Sequence, residues 1–184
     1  GKLKKYDTKY PDLYGIALIC KVFGASRAAD TFGPIPYSKI GTTADVPFDT
    51  VQEAYNAFFA DLDQAIALLS AIEDKDPSAD QLRFKAFDNS QFGGDYAKWI
   101  KTANTLKLRL AIRISLIDGA KAKTEAESAV SNKYGVLEAS DGGFFMNVSG
   151  ENPIDAIVTS WGDMRLGAPV GSILGGLKDP RLSK

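Results

Sequence analysis

The sequence predicts a mainly α fold of stacked helix hairpins joined by long irregular connections, and three observations predict it. Apolar residues recur every three or four positions in four separate stretches, the spacing that lines one face of a helix. Proline and glycine gather between those stretches and again beyond Tyr134. The turn between the third and fourth stretches is short enough to fold them into an antiparallel pair.

The first helix is expected over residues 13 to 29, with Leu13, Ile16, Ala17, Cys20 and Phe23 on one stripe and Leu18, Ile19 and Val22 making the other side apolar too. Cys20 reads as a small core residue, since free cysteine is among the most buried side chains. The segment from Asp30 to Pro47 carries Pro34, Pro36, Pro47, Gly33 and Gly41 and reads as a long ordered connection. The second helix is expected from about Asp49 to Ser70, with Asp49 as cap and Gln52 completing a capping box. Its stripe is Val51, Tyr55, Phe58, Leu62, Ala65, Ile66 and Leu69.

Glu73 to Gln91 is polar and reads as a solvated surface excursion. The third helix opens at Gly94 with Asp95 as its cap and runs to about Ile117, with Trp99, Ala103, Leu106, Leu110, Ile114 and Ile117 on the buried face. Lys98, Lys101, Thr105, Arg109 and Arg113 form a separate polar stripe, whose arginines are expected to pair with loop carboxylates. Asn104 lies among apolar neighbours, so its amide needs backbone partners from a packed loop. The fourth helix, about Lys121 to Asn132, uses Ala122, Ala126, Ala129 and Val130 to approach its neighbour closely. Beyond Tyr134, glycine punctuates short apolar runs, including 144 to 148 and 154 to 158, that read as loops or short strands. A last helical turn or two is expected near 167 to 177. Together these make one domain, a helical scaffold over about 13–132 and a loop-rich segment over about 133–184. The paired helices suggest a solenoid of the tetratricopeptide sort, although the consensus letters of that repeat are missing.

Composition narrows function by exclusion. The chain has no histidine, which removes the commonest general base and metal ligand, and a single cysteine, which cannot close an intrachain disulfide or build a zinc site. No cofactor or metal site is expected. A net charge of −1 supplies no field for nucleic acid or anionic lipid. Lys2, Lys4 and Lys5 ahead of the apolar stretch ending at Cys20 imitate a lipoprotein signal, but Pro11 and Asp12 interrupt it and Ile19 stands where a small residue is needed.

Four blocks carry a family resemblance. The first is Asp30-Thr31-Phe32-Gly33-Pro34-Ile35-Pro36-Tyr37-Ser38; the second is Asp61-Leu62-Asp63-Gln64-Ala65-Ile66 followed by Leu68 and Leu69. The third is Gly94-Asp95-Tyr96-Ala97-Lys98-Trp99 with Ala103-Asn104-Thr105-Leu106-Lys107-Leu108-Arg109-Leu110-Ala111 and Arg113, and the fourth is Leu177-Lys178-Asp179-Pro180-Arg181-Leu182. Their order and spread resemble the SusD/RagB outer-membrane lipoproteins, with Ala29 where that family usually has threonine. The resemblance implies that the chain is an internal part of a larger parent. It implies an outward-facing lipoprotein of the cell outer membrane that binds oligosaccharide or polysaccharide for a TonB-dependent, SusC-like channel and catalyses nothing. Membrane attachment is then only through a lipid anchor that this chain does not carry. Tetratricopeptide-like helix pairs are the implied scaffold, and irregular insertions carry the ligand contacts.

Trp161 is the foremost ligand candidate, because an indole with Asp163 and Arg165 beside it can stack on a sugar while the charged groups bond its hydroxyls. Phe144, Phe145 and Asn147 form a weaker version of the same idea. Tyr37 offers a second aromatic face, although two prolines beside it favour a rigid brace between helices. Two other functions remain open: a tetratricopeptide-like interaction module with no sugar site, and a glycosidase, for which no pair of carboxylates stands out by spacing.

Overall fold

The computed structural model describes residues 8–41, 45–75, 84–147, 150, 153–164 and 167–180. It divides into two compact units, Gly1–Met146 and Asn147–Lys184.

Among its described residues the first unit carries four long helices, α1 (Pro11–Phe32), α2 (Val51–Glu73), α3 (Tyr96–Ile114) and α4 (Gly119–Val130). Neighbours in sequence are neighbours in space, with α1 on α2, α2 on α3 and α3 on α4. Among the described residues no strand forms; two isolated antiparallel bridges, Ile35 with Asp49 and Ser90 with Met146, tie connections together. The fold class is therefore the one the apolar spacing predicts.

Helix α2 lies between α1 and α3, so its apolar stripe is buried from both sides: Phe58, Leu62, Ala65 and Leu69 have no exposed surface and Phe59 almost none. Burying one such large side chain stabilises the fold by about 1.5–3 kcal/mol. Ile16, Ile19 and Val22 of α1 and Trp99, Ile100, Ala103 and Leu110 of α3 complete the core. Gly15 lets α1 close on α2, since a Cβ there would meet Leu69 Cγ at 3.1 Å.

The helix ends show where local chemistry sets boundaries. Helix α1 begins two residues earlier than the periodicity suggests, because Pro11 is accommodated in the first turn. It ends at Gly33, whose φ of +83° suits only glycine. Its buried face is Asp12, Gly15, Ile16, Ile19, Val22, Ser26 and Ala29, with Leu18 beside it, so the expected stripe through Leu13 and Cys20 is rotated away and Cys20 is exposed. About seven residues per two turns fix one contact face, and the apolar residues of this helix that are surplus to it leave its orientation ambiguous in sequence. The capping box of α2 is also displaced by one residue. Thr50 accepts from the Glu53 backbone N–H, and the Glu53 carboxylate accepts from the Thr50 backbone N–H at 2.8 Å. Asp95 and Asp118 cap α3 and α4 by accepting from the backbones of Lys98 and Lys121.

Two further expectations are corrected. The tract before α3 is not simply a solvated face: Ser90 is buried, and Asp88 accepts hydrogen bonds from the indole of Trp99 at 2.9 Å and from the Gly94 and Ser90 backbones. Val130 is 56% exposed, so only Ala122 and Ala129 carry the close approach of α4, with Ala126 at the edge of the core.

The second unit contains α5 (Pro153–Asp155), continued by one π-helical turn over Ala156–Ser160, and α6 (Ala168–Gly176). Residues 154 to 158 are thus helical and not a strand. None of this unit's described side chains reaches full burial.

Candidate functional site

The loop after α1 is held by one carboxylate. Asp49, freed from capping α2 by the shift to Thr50, accepts from the backbone N–H groups of Tyr37 at 3.0 Å and Ser38 at 2.6 Å, and from the Ser38 hydroxyl at 2.6 Å. The Ser38 hydroxyl and N–H, with the Tyr37 N–H, hold this carboxyl below the usual carboxylate range against the opposing effect of burial. The Asp49 N–H closes the loop onto the Ile35 carbonyl at 2.9 Å.

Tyr37 is thereby pinned and buried, at 3% exposure. One edge meets Phe58 in a T-shaped contact at 4.7 Å, the Lys21 ammonium lies 3.8 Å from the ring centroid, and the phenol donates to Asp61 at 2.5 Å. Burial first, then the bond to Asp61, pushes this phenol well above its ordinary range. Phe32, by contrast, is 80% exposed. The geometry of the loop is that of a brace between α1 and α2.

The polar stripe of α3 is largely consumed by internal pairs. Lys101 meets Asp141 at 3.0 Å, and Arg113 meets Asp30 at 3.0 Å. Asp30 belongs to the last turn of α1, so Arg113 pairs across helices and not with a loop. Tyr55 donates to Asp30 at 2.5 Å and accepts from Arg113 at 3.2 Å. Asn104 donates to the Gly135 carbonyl at 2.8 Å, the loop partner that its position requires.

Lys107, which the spacing did not single out, is 2% exposed and bonds Asp63 of α2 at 2.6 Å and Glu125 of α4 at 3.0 Å. Burial pulls its ammonium down, but these two carboxylates outweigh that and hold it above the ordinary lysine range. Its position on the α3 face between Ala103 and Leu110 was the available signal: a lysine there must be paired or unfavourable.

The ends of α1 and α3 and the starts of α2 and α4 enclose an open groove of about 560 Å³, lined by Asp30, Gln52, Tyr55, Asn56, Arg113 and Lys121 with Val51, Ile114 and Ile117. Its size suits a small ligand. Its charged groups are already engaged, however: Asp30 with Arg113 and Tyr55, Lys121 with Asn56 at 2.6 Å, and Asp118 with the α4 backbone. No aromatic face opens into it, because Tyr55 is 6% exposed.

In the second unit, Trp161 follows the π-helical turn and is 68% exposed, with its backbone N–H on the Ala156 carbonyl at 3.0 Å. Gly162 then takes a φ of +68°, and the Asp163 N–H returns to the Ile157 carbonyl at 3.1 Å. This turn displays the indole and the exposed Asp163 side chain two residues apart. Arg165 lies outside the described residues. Tyr37 belongs to the other unit. Of the weaker trio, Phe144 packs against Trp99 and Phe92, whereas Phe145 and Asn147 are exposed. Among the described residues no group of three or more Cys, Asp or Glu side chains is placed to hold a metal ion, and no helix is long and apolar enough to cross a membrane.

Residues 2–184 match the family described as SusD-like, the SusD and RagB outer membrane lipoproteins. Among solved structures, a chitin-binding SusD homolog from Flavobacterium johnsoniae is 42% identical with a TM-score of 0.88, over 99% of this chain and 38% of its own. A SusD homolog from Bacteroides vulgatus is 40% identical with a TM-score of 0.82, over 95% of this chain and 34% of its own. A SusD-like protein from Bacteroides thetaiotaomicron is 35% identical with a TM-score of 0.74, over 92% and 34%. No curated protein matches. The chain spans little more than a third of the length of these solved relatives.

Proposed function

Because this chain belongs to the SusD-like family of SusD and RagB outer membrane lipoproteins, we propose that the protein of which it forms part captures glycans at the outer membrane without catalysis. It passes oligosaccharide to a TonB-dependent, SusC-like channel. The observation that carries this reading is the agreement along nearly the whole chain with a relative that binds chitin, at 42% identity. Chitin-type oligosaccharides are accordingly the first ligand class. The role of this region is to hold loops rigidly, and Trp161 with Asp163 and Arg165 supplies the stacking and hydroxyl contacts, while Tyr37 supports the scaffold from within.

A glycosidase gains no support from the groove, where Asp30 is committed to Arg113 and Tyr55 and Asp118 caps a helix. The test uses the full-length parent and calorimetry against chitin oligosaccharides and a panel of soluble polysaccharides. Trp161→Ala should weaken binding at least about tenfold, or about 1.4 kcal/mol, with an unchanged melting temperature. Unchanged affinity removes Trp161 from the site. No heat with any glycan leaves a protein-binding adaptor in its place, and new reducing ends mark an enzyme.

A further inference from the structure

Within the first unit, the segment before α3 and the segment after α4 meet as a short two-sided ribbon. Ser90 pairs with Met146 in an antiparallel bridge, which sets Gln91 opposite Phe145 and Phe92 opposite Phe144. Successive side chains along such a pair point to opposite faces. The inner face is aromatic and packed: the Phe144 ring lies 5.6 Å from those of Phe92 and Trp99 and 5.8 Å from that of Phe23. The outer face carries Gln91 and Phe145, and Phe145 is 65% exposed. An exposed side chain ordinarily hops between rotamers on a mobile backbone, but this one is held. The Phe145 N–H donates to Gln91 Oε1 at 2.7 Å, the Phe145 carbonyl accepts from the Gln91 backbone N–H at 3.3 Å, and Gln91 Nε2 donates to the Gly143 carbonyl. One edge of the phenyl ring rests against Gly143, where a Cβ would stand 3.3 Å from Cε2.

We infer that Phe145 is a stacking platform for a pyranose ring, with the Gln91 amide beside it to meet the sugar's hydroxyls. A pyranose with equatorial substituents has faces of axial C–H groups, whose partial positive charge is drawn to the negative face of an aromatic ring, and a rim of hydroxyls that need polar partners. Both requirements are met on the outer face of the ribbon. A carboxamide carries two N–H groups and two acceptor lone pairs. Gln91 spends one of each on Gly143 and Phe145, which leaves one of each at the margin of the ring. Two observations select a sugar over a covering segment of protein. The ring is bordered by an amide and a glycine, Gln91 and Gly143, whereas a seat for another helix or strand offers contiguous aliphatic side chains. The backbone that carries the ring is also tied before any ligand arrives, which lowers the ordering cost of binding a small polar molecule. The inference rests on the parent's capture of glycans and adds to Trp161 a second aromatic contact, carried by the first unit.

The test combines thermal melts of the full-length parent with calorimetry against chitin oligosaccharides and a panel of soluble polysaccharides. Phe145→Ala and Phe145→Leu should each weaken binding at least about fivefold with the melting temperature unchanged, while Phe145→Tyr, which keeps the ring, stays within about twofold of the parent. Heat from the parent that Phe145→Ala leaves unchanged overturns this inference alone. No heat from the unmutated parent with any glycan overturns it together with the glycan-binding reading. Equal loss in the tyrosine variant, or none in the leucine variant, shows that a ring face is not what the ligand reads, and overturns it too. A melting temperature that falls by more than about 3 °C in Phe145→Ala assigns the ring to packing beneath another part of the parent, and likewise overturns it.

Discussion

Lys107 joins three helices through one ammonium group, so its contribution can be separated into charge and bulk. Its Nζ meets Asp63 of α2, Glu125 of α4 and the Ser128 hydroxyl, while its stem is packed in α3. Lys107→Ala leaves Glu125 without its cation in a half-enclosed site and opens a void, and should lower unfolding free energy by about 3 kcal/mol in urea titration. Lys107→Met keeps the stem and removes the charge, with a smaller loss of about 1–2 kcal/mol. Equal losses from the two variants would show that packing of the stem is unimportant. The same scale shows why some residues were legible in sequence and others were not. Asn104 among apolar neighbours demanded a backbone partner and has one in Gly135. Asp49 was read as a helix cap because Asp and Thr are both good caps and stand side by side; only the loop's need for an acceptor decides which of them serves α2.

Helix α1 contains two glycines of opposite consequence. A Cβ at Gly15 would press on Leu69 at 3.1 Å and on the Ala65 carbonyl at 3.4 Å, whereas one at Gly24 meets nothing within 4 Å. Gly15→Val should therefore push α1 off α2 and lower stability by about 1–3 kcal/mol. Gly24→Ala should raise it by about 0.5–1 kcal/mol through helix propensity alone. Thermal melts of the two variants check both signs. The helices themselves were legible because a three-to-four-residue period survives any ambiguity about partners; the face each one buries was less so. In α1 both sides are apolar, and the distinction between Cys20 and Ile19 exists only once α2 is in place. Residues 154 to 158 read as a loop or short strand because the π-helical turn before Trp161 has no sequence period to announce it.

Across the first unit the electrostatic design favours a charged native state on both sides of neutrality. Asp49, Asp74, Asp88 and Asp141 all lie below the ordinary carboxylate range. Asp49 does so chiefly through Ser38, Asp74 through Lys133, and Asp141 through the Glu138 backbone; Asp88 does so although burial opposes it, because Ser90, Trp99 and Gly94 donate to it. A carboxyl with a depressed native pKa takes up its proton less readily folded than unfolded. The stability it adds is complete above the ordinary carboxylate value and is lost as pH falls through the native one. Stability should thus decline steadily below about pH 4, and Asp49→Asn should flatten part of that decline, as read from urea midpoints at a series of pH values. Lys107 has the opposite sign: its raised pKa stabilises at neutral pH, and that contribution is lost only as pH rises through its native value. With no histidine in the chain, its side chains offer no imidazole to titrate between these limits.

The grip of Asp49 on Tyr37 and Ser38 fastens both ends of the intervening stretch to the scaffold, one end by side-chain acceptance and the other by its own entry into α2. What lies between those anchors is topologically a closed handle, and lengthening it costs only about 0.6 kcal/mol per doubling. A reporter peptide or epitope spliced between Lys39 and Pro47 should accordingly be carried on the surface of a folded protein. The same insert placed between Asp49 and Thr50 would part the anchor from the cap and unfasten both.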